Sequence, residues 1–124
     1  MESREWQVGK PHEQLDAWKV AMQLVKSVYQ LTAVFPAEER YGLAQQMRRA
    51  AVSIPSNIAE GAGRNGVKEY VQFIGIARGS LAELETQLQI AVMLGFTSDD
   101  HEAFKFSDHA GKLLTGLYKK WSST

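Results

Sequence analysis

The chain has 124 residues, 14 basic and 14 acidic side chains, a formal net charge of zero, 44% hydrophobic and 23% charged residues, and no cysteine. That length carries one domain with one core, and the composition excludes a fully disordered or fibrous protein. A zero balance argues against a protein that coats nucleic acid indiscriminately; without cysteine there is no disulfide, thiol nucleophile or Cys-type zinc site, as suits a reducing cytoplasm.

The opening, MESREWQVGK, is charged and lacks an apolar segment. Residues 1–12 therefore read as a flexible leader and not as a signal peptide, and no later apolar run approaches the ~20 residues of a membrane span. From Leu15, the row Leu15, Trp18, Met22, Val25 and Tyr29 recurs at helical spacing, beside a second row of Ala17, Ala21, Leu24, Val28, Leu31 and Phe35. Two adjacent rows give a face wide enough for two neighbouring helices. Pro36 disfavours helical geometry in Phe35, so the first helix is expected over about residues 14–34.

The second helix carries Leu43, Met47, Ala51, Ile54 and Ile58, and this row runs straight through Pro55. Helix is therefore expected on both sides of the proline, with a kink near residues 52–55 and with Ser53 and Ser56 bonding carbonyls that lose a donor. Gly61 or Gly63 should end it in the left-handed conformation. Asn65 or Gly66 then offers an N-cap to a third helix lined by Tyr70, Ile74, Ala77, Leu81, Leu84, Leu88 and Ala91, which runs to Leu94 and is capped by Gly95. Ser98 or Asp99 should start the fourth helix. Acids at Asp99, Asp100 and Glu102 open it, Lys119 and Lys120 close it, and Phe106, Ala110, Leu113, Leu117 and Trp121 form its expected buried row. The expectation is an all-α fold, an antiparallel up-and-down four-helix bundle over residues 13–122 with a proline kink in helix two.

Chemistry-bearing patterns are few. Gly61-Ala-Gly63-Arg-Asn-Gly66 satisfies G-x-G-x-x-G, but no strand precedes it, so it reads as a helix end and turn and not as a dinucleotide loop. His12, His101 and His109 show no i, i+4 pairing of the kind that builds a zinc site, no G-x-S-x-G elbow exists, and Glu83 and Glu85 point apart on their helix. This reading implies no enzyme, no metal and no cofactor.

Charge is segregated along the chain. Residues 40–78 hold six cations against Glu60 and Glu69, a local balance of +4, whereas residues 83–108 hold six acids against Lys105, a balance of −5. Arg48, Arg49, Arg64, Lys68 and Arg78 are thus the candidate nucleic-acid-binding residues. Arg49, Ser53, Asn57 and Glu60 share one helix face, which Arg78, Gly79, Ser80 and Glu83 could meet. Ser53, Asn57, Glu60 and Glu83 then form a candidate structural polar network that fixes register, with a binding surface as the other reading. The stretch YVQFIGIA, apolar on nearly every side, leaves Phe73 and Ile76 outside the heptad row, and Phe104 and Trp121 add to it. These four are the candidate oligomer interface, with Gly75 and Gly79 allowing close approach of a neighbour.

The stretches LDAWKVAMQL, QMRRAAVSIPSNIAEGAGR and ARGSLAELETQL resemble the four-helix bundle family of proteins encoded in intervening sequences of bacterial 23S ribosomal RNA genes, over about residues 12–121. That family is similar to the accessory variability determinant proteins of diversity-generating retroelements. Arg49, Ser53, Pro55, Asn57, Glu60, Gly61, Arg78, Gly79, Ser80 and Glu83 occupy the family's marked positions. The resemblance implies a ring-like homopentamer and, for the retroelement relatives, a basic surface that binds RNA or DNA and a reverse transcriptase. The expected function is a non-catalytic, cytoplasmic, homo-oligomeric module that binds nucleic acid or a ribonucleoprotein. Its rival is a protein-interaction scaffold with no nucleic-acid role.

Overall fold

The computed structural model describes residues 11–123. A 3-10 turn, Pro11–Gln14, leads into α1 (Asp16–Thr32); a second 3-10 turn, Ala37–Glu39, precedes α2 (Leu43–Ala62), which is followed by α3 (Val67–Met93) and α4 (Glu102–Ser122). No strand occurs among the described residues, and the four helices pack around one apolar core, the bundle that the periodicity predicts. Most of the expected leader, residues 1–10, lies outside the described residues.

The second row of α1 is the one that faces inward: Ala17, Ala21, Leu24, Val28 and Leu31 are buried. Leu15, Trp18 and Val25 of the first row pack at its edge, while Met22 and Tyr29 are 44% and 43% exposed. Helix α2 starts without a side-chain cap on Gly42; the Glu39 carboxylate accepts from the Leu43 N–H at 3.2 Å and takes that role from the preceding turn. Met47, Ala51, Ile54 and Ile58 are buried, so the row does continue past Pro55 within an unbroken α2. Around the proline, the Ser56 hydroxyl donates to the Val52 carbonyl and the Asn57 amide to the Ser53 carbonyl, both at 2.8 Å.

Two glycine expectations need correction. Gly63 is the C-cap of α2, but with φ −85° it remains right-handed, and its N–H bonds back to Ala59 and Glu60. Gly61 is instead buried inside α2, where a Cβ would fall 2.9 Å from Phe73 Cβ and 3.3 Å from the Tyr70 carbonyl oxygen. Its missing side chain lets α2 and α3 approach closely; its backbone conformation is ordinary. The left-handed turn is at Gly95 (φ 80°), where Phe96 N–H reaches the Ala91 carbonyl at 2.9 Å and Gly95 N–H reaches Val92 at 3.0 Å, a Schellman closure of α3.

Contacts between α2 and α3 pair Ser53 with Ser80 and Gly61 with Phe73, so positions climb one helix as they descend the other. Between α3 and α4 the pairs are Glu85 with Ser107, Leu81 with Gly111 and Arg78 with Tyr118.

Helix α4 differs most from expectation. It starts at Glu102, after Asp99 and Asp100, and its N-cap is His101, whose Nδ1 accepts from the Ala103 N–H at 3.1 Å. An imidazole acceptor does here what serine or aspartate was expected to do. The buried face is Ala103, Ser107, Ala110 and Leu114, whereas Phe106, Leu113 and Leu117 pack at the edge. Small side chains form this inward face because α4 lies close to α3, with Leu81 Cδ2 only 3.3 Å from where a Cβ on Gly111 would sit. A hydrophobicity pattern follows bulk and so selects the larger flanking residues.

Candidate nucleic-acid interface

Helix positions 45, 48, 49, 52 and 53 turn one side of α2 toward solvent beside α1, and Arg40 and Tyr41, between the second 3-10 turn and α2, border the same side. An open groove of about 570 Å³ results, lined by Tyr29, Arg40, Tyr41, Gln45, Arg48, Arg49, Val52 and Ser53. Among the described residues no carboxylate lines it. Arg48 is fixed in place: its Nε donates to Thr32 Oγ1 at 2.8 Å, an Nη donates to the Tyr29 carbonyl at 3.4 Å, and its guanidinium lies 4.5 Å from the centroid of the Tyr29 ring. Thr32 in turn donates to the Val28 carbonyl at 2.7 Å, so the arginine is held by a residue that is itself anchored in α1. Arg40 and Arg49 are exposed, and among the described residues no carboxylate lies within 4.0 Å of Arg40, Arg48 or Arg49. Unneutralised guanidinium groups around an open groove attract phosphate oxygens, with which their planar donors match in pairs.

The five predicted basic residues fall in different places. Arg48 and Arg49 share this groove. Arg64 pairs with Glu60 at 2.7 Å and stacks over Phe73 at 4.9 Å, which consumes much of its charge locally. Lys68 is exposed in the first turn of α3. Arg78 stacks over Tyr118 at 4.5 Å and borders a second groove whose lining, unlike the first, holds the carboxylates Glu85 and Asp108. Arg40 and the two tyrosines belong to the groove but were not among the predicted site residues. Tyr29 sits in the apolar row of the first helix by its spacing, so only the packing of α1 against α2 shows it to be exposed at the groove.

Of the expected polar network, Ser53 and Asn57 are joined: Ser53 and Ser80 hydroxyls lie 2.8 Å apart, and the Asn57 amide donates to Ser53 Oγ at 2.9 Å. Glu60 is committed to Arg64 in the turn just past α2, and Glu83 accepts from the Gln87 amide at 3.4 Å within α3, so neither reaches across to the other helix. The expected interface residues are likewise dispersed. Ile76 is 45% exposed; Phe73 and Phe104 are half-buried, and Trp121 meets Tyr70 edge-on at 6.2 Å. The most exposed large aliphatics are elsewhere, Val34 on the segment after α1 and Met93 and Leu94 at the end of α3, two ends that the Phe35–Phe96 ring contact at 5.2 Å brings together.

A family model for the 23S rRNA-intervening sequence protein matches residues 13–116. The chain belongs to that family. No curated protein matches it. The intervening-sequence family is not a known enzyme family, and among the described residues no cluster of three or more His, Cys, Asp or Glu side chains could hold a metal. Nor is any described helix long and apolar enough to cross a membrane.

Facing α4, partial burial raises the Glu85 carboxyl above its ordinary range; the Ser107 hydroxyl, 3.4 Å away, pulls it down, and the neighbouring Asp108 pushes it up again. A carboxyl raised on folding stabilises the protein while protonated, and that contribution is lost as pH rises through its folded value. Glu85→Gln should therefore raise the melting temperature at neutral pH, and the gain should fade as pH falls below the ordinary carboxylate range. Thermal melts followed by circular dichroism at both pH values check this. An unchanged difference between them would show that the Glu85 charge is not the cause.

Proposed function

We propose that this intervening-sequence family protein is a non-catalytic, cytoplasmic bundle that assembles into a homo-oligomer, a pentameric ring, and binds nucleic acid or a ribonucleoprotein through the Arg40, Arg48 and Arg49 face. The observation that carries this reading is the groove itself, three arginines around one concavity with no carboxylate among the described residues of its lining. Repetition around a ring would multiply that local positive field even though the chain is neutral overall, and a reverse transcriptase is the protein partner that the resemblance to the retroelement accessory proteins implies.

The test is titration of the protein into labelled structured RNA and into single- and double-stranded DNA at two salt concentrations, with sedimentation of the same samples to read the assembly state. Binding should weaken as salt rises, because each phosphate contact releases counterions. Absence of binding to every one of these at low salt ends the nucleic-acid reading, and a monomer at working concentration ends the oligomeric one. Val34, Met93 and Leu94, 78%, 75% and 51% exposed, favour a second reading as a protein-interaction scaffold. It predicts capture of a protein partner that nuclease treatment does not release.

A further inference from the structure

We propose, resting on the nucleic-acid reading above, that the α1–α2 groove selects an unpaired strand over a duplex, with a base stacked on Tyr41 and the adjoining phosphates on Arg48 and Arg49. Charge alone does not discriminate between the two, because both present phosphates. The discriminating feature is aromatic. Tyr41 stands on the turn just before α2 and is 82% exposed, and its neighbour across the groove, Tyr29, is 43% exposed. Two tyrosines beside three arginines form the pairing of stacking platform and cationic track by which single strands are held without sequence preference.

Each part of the groove has a use for an unpaired nucleotide. The Arg48 guanidinium plane already lies on the Tyr29 ring and is pinned by Thr32, so one stacked layer is preset and little side-chain entropy remains to be lost when a phosphate arrives. Tyr41 has no ring partner among the described residues and offers an open π-face. Gln45 can both donate to and accept from a base edge, and Val52 supplies an apolar contact. A duplex keeps its bases stacked inside, so it would engage the arginines and leave the open Tyr41 ring unused.

Fluorescence anisotropy on the intact protein, with a short labelled single strand as RNA and as DNA and with the blunt duplex of the same sequence, tests the proposal. The single strand should bind more tightly than the duplex. Tyr41→Ala should weaken single-strand binding about tenfold with no change in salt slope, and Tyr41→Phe should restore it, since stacking and not a phosphate contact is lost. Arg49→Gln should weaken single strand and duplex alike and lower the slope by about 0.7 for the single strand. A strong preference for RNA over DNA would add a 2′-hydroxyl contact to the stacking and leaves the prediction for Tyr41 in force, with the same tenfold loss expected. Equal affinity for duplex and single strand, or a Tyr41→Ala protein that binds like the parent, overturns this inference while the broader nucleic-acid reading stands. No binding of any probe at low salt removes both. Circular dichroism of Tyr41→Ala should match the parent, as the side chain is almost wholly solvated.

Discussion

Arg48→Glu should abolish most nucleic-acid binding while leaving the bundle folded. The substitution removes a cation that is aimed into the groove and puts in its place the one charge that the lining lacks. Loss of a phosphate contact lowers the salt slope by about one, and the added repulsion should bring the total loss at low salt to at least about tenfold, or 1.4 kcal/mol. Stability should fall by about 1 kcal/mol, the net worth of the hydrogen bond to Thr32, whose hydroxyl stays satisfied through the Val28 carbonyl. Anisotropy titrations over a salt series together with urea unfolding separate the two effects. Arg64→Glu is the informative comparison. Because Arg64 lies at the α2–α3 turn, outside the groove lining, its reversal should cost binding far less; an equal loss would place the interface at that turn and away from the α1–α2 groove.

The largest stability effect is expected at Gly61. A methyl added there meets Phe73 Cβ at 2.9 Å and the Tyr70 carbonyl at 3.3 Å, and backbone cannot swing away as a flexible side chain could. Gly61→Ala should destabilise by about 1–3 kcal/mol from overpacking, more than offsetting the roughly 1 kcal/mol that alanine gains over glycine in a helix. Gly61→Leu should exceed that and disturb the α2–α3 register that the Ser53–Ser80 contact marks. Gly79 is the control: nothing lies within 4 Å of its would-be Cβ, so Gly79→Ala should stabilise by about 0.5–1 kcal/mol. Denaturant midpoints at constant m-value check both. A stabilised Gly61→Ala would mean that the two helices are not in close contact there. A Gly79→Ala protein that is less stable and less associated would place a neighbouring copy on that face.

Four helices, their order and most of the core were legible because each relies on periodic burial, which the chain displays locally. Ile54 and Ile58 keep facing inward across Pro55, and the heptad row of α3 through Ile74, Ala77, Leu81, Leu84, Leu88 and Ala91 is buried throughout. The fourth helix was legible in existence but not in orientation. Ala103, Ser107 and Ala110 make most of a close-packed face that carries little hydrophobic signal, so the larger Phe106, Leu113 and Leu117 drew the assignment one step around the helix. The cap of α4 was misjudged for a related reason. His101 takes the role expected of Ser98 or Asp99, and that choice does not follow from residue type without the geometry of the preceding turn.

The amino-acid sequence by itself determined the fold class and the family, because apolar spacing and the S-x-P-x-N-I-A-E-G and A-R-G-S-L stretches are local properties of the chain. Only the tertiary structure decided what the cations do. Arg48, Arg64 and Arg78 look alike in sequence, yet one is pinned beside an open groove, one is paired with Glu60, and one lies over Tyr118 at the edge of a different groove. The physical reason is that a charge acts through its neighbours at a few ångströms, and those neighbours come from other helices. Tyr29 and Tyr41 join Arg48 and Arg49 only because α1 packs beside α2 and the intervening segment borders their shared edge.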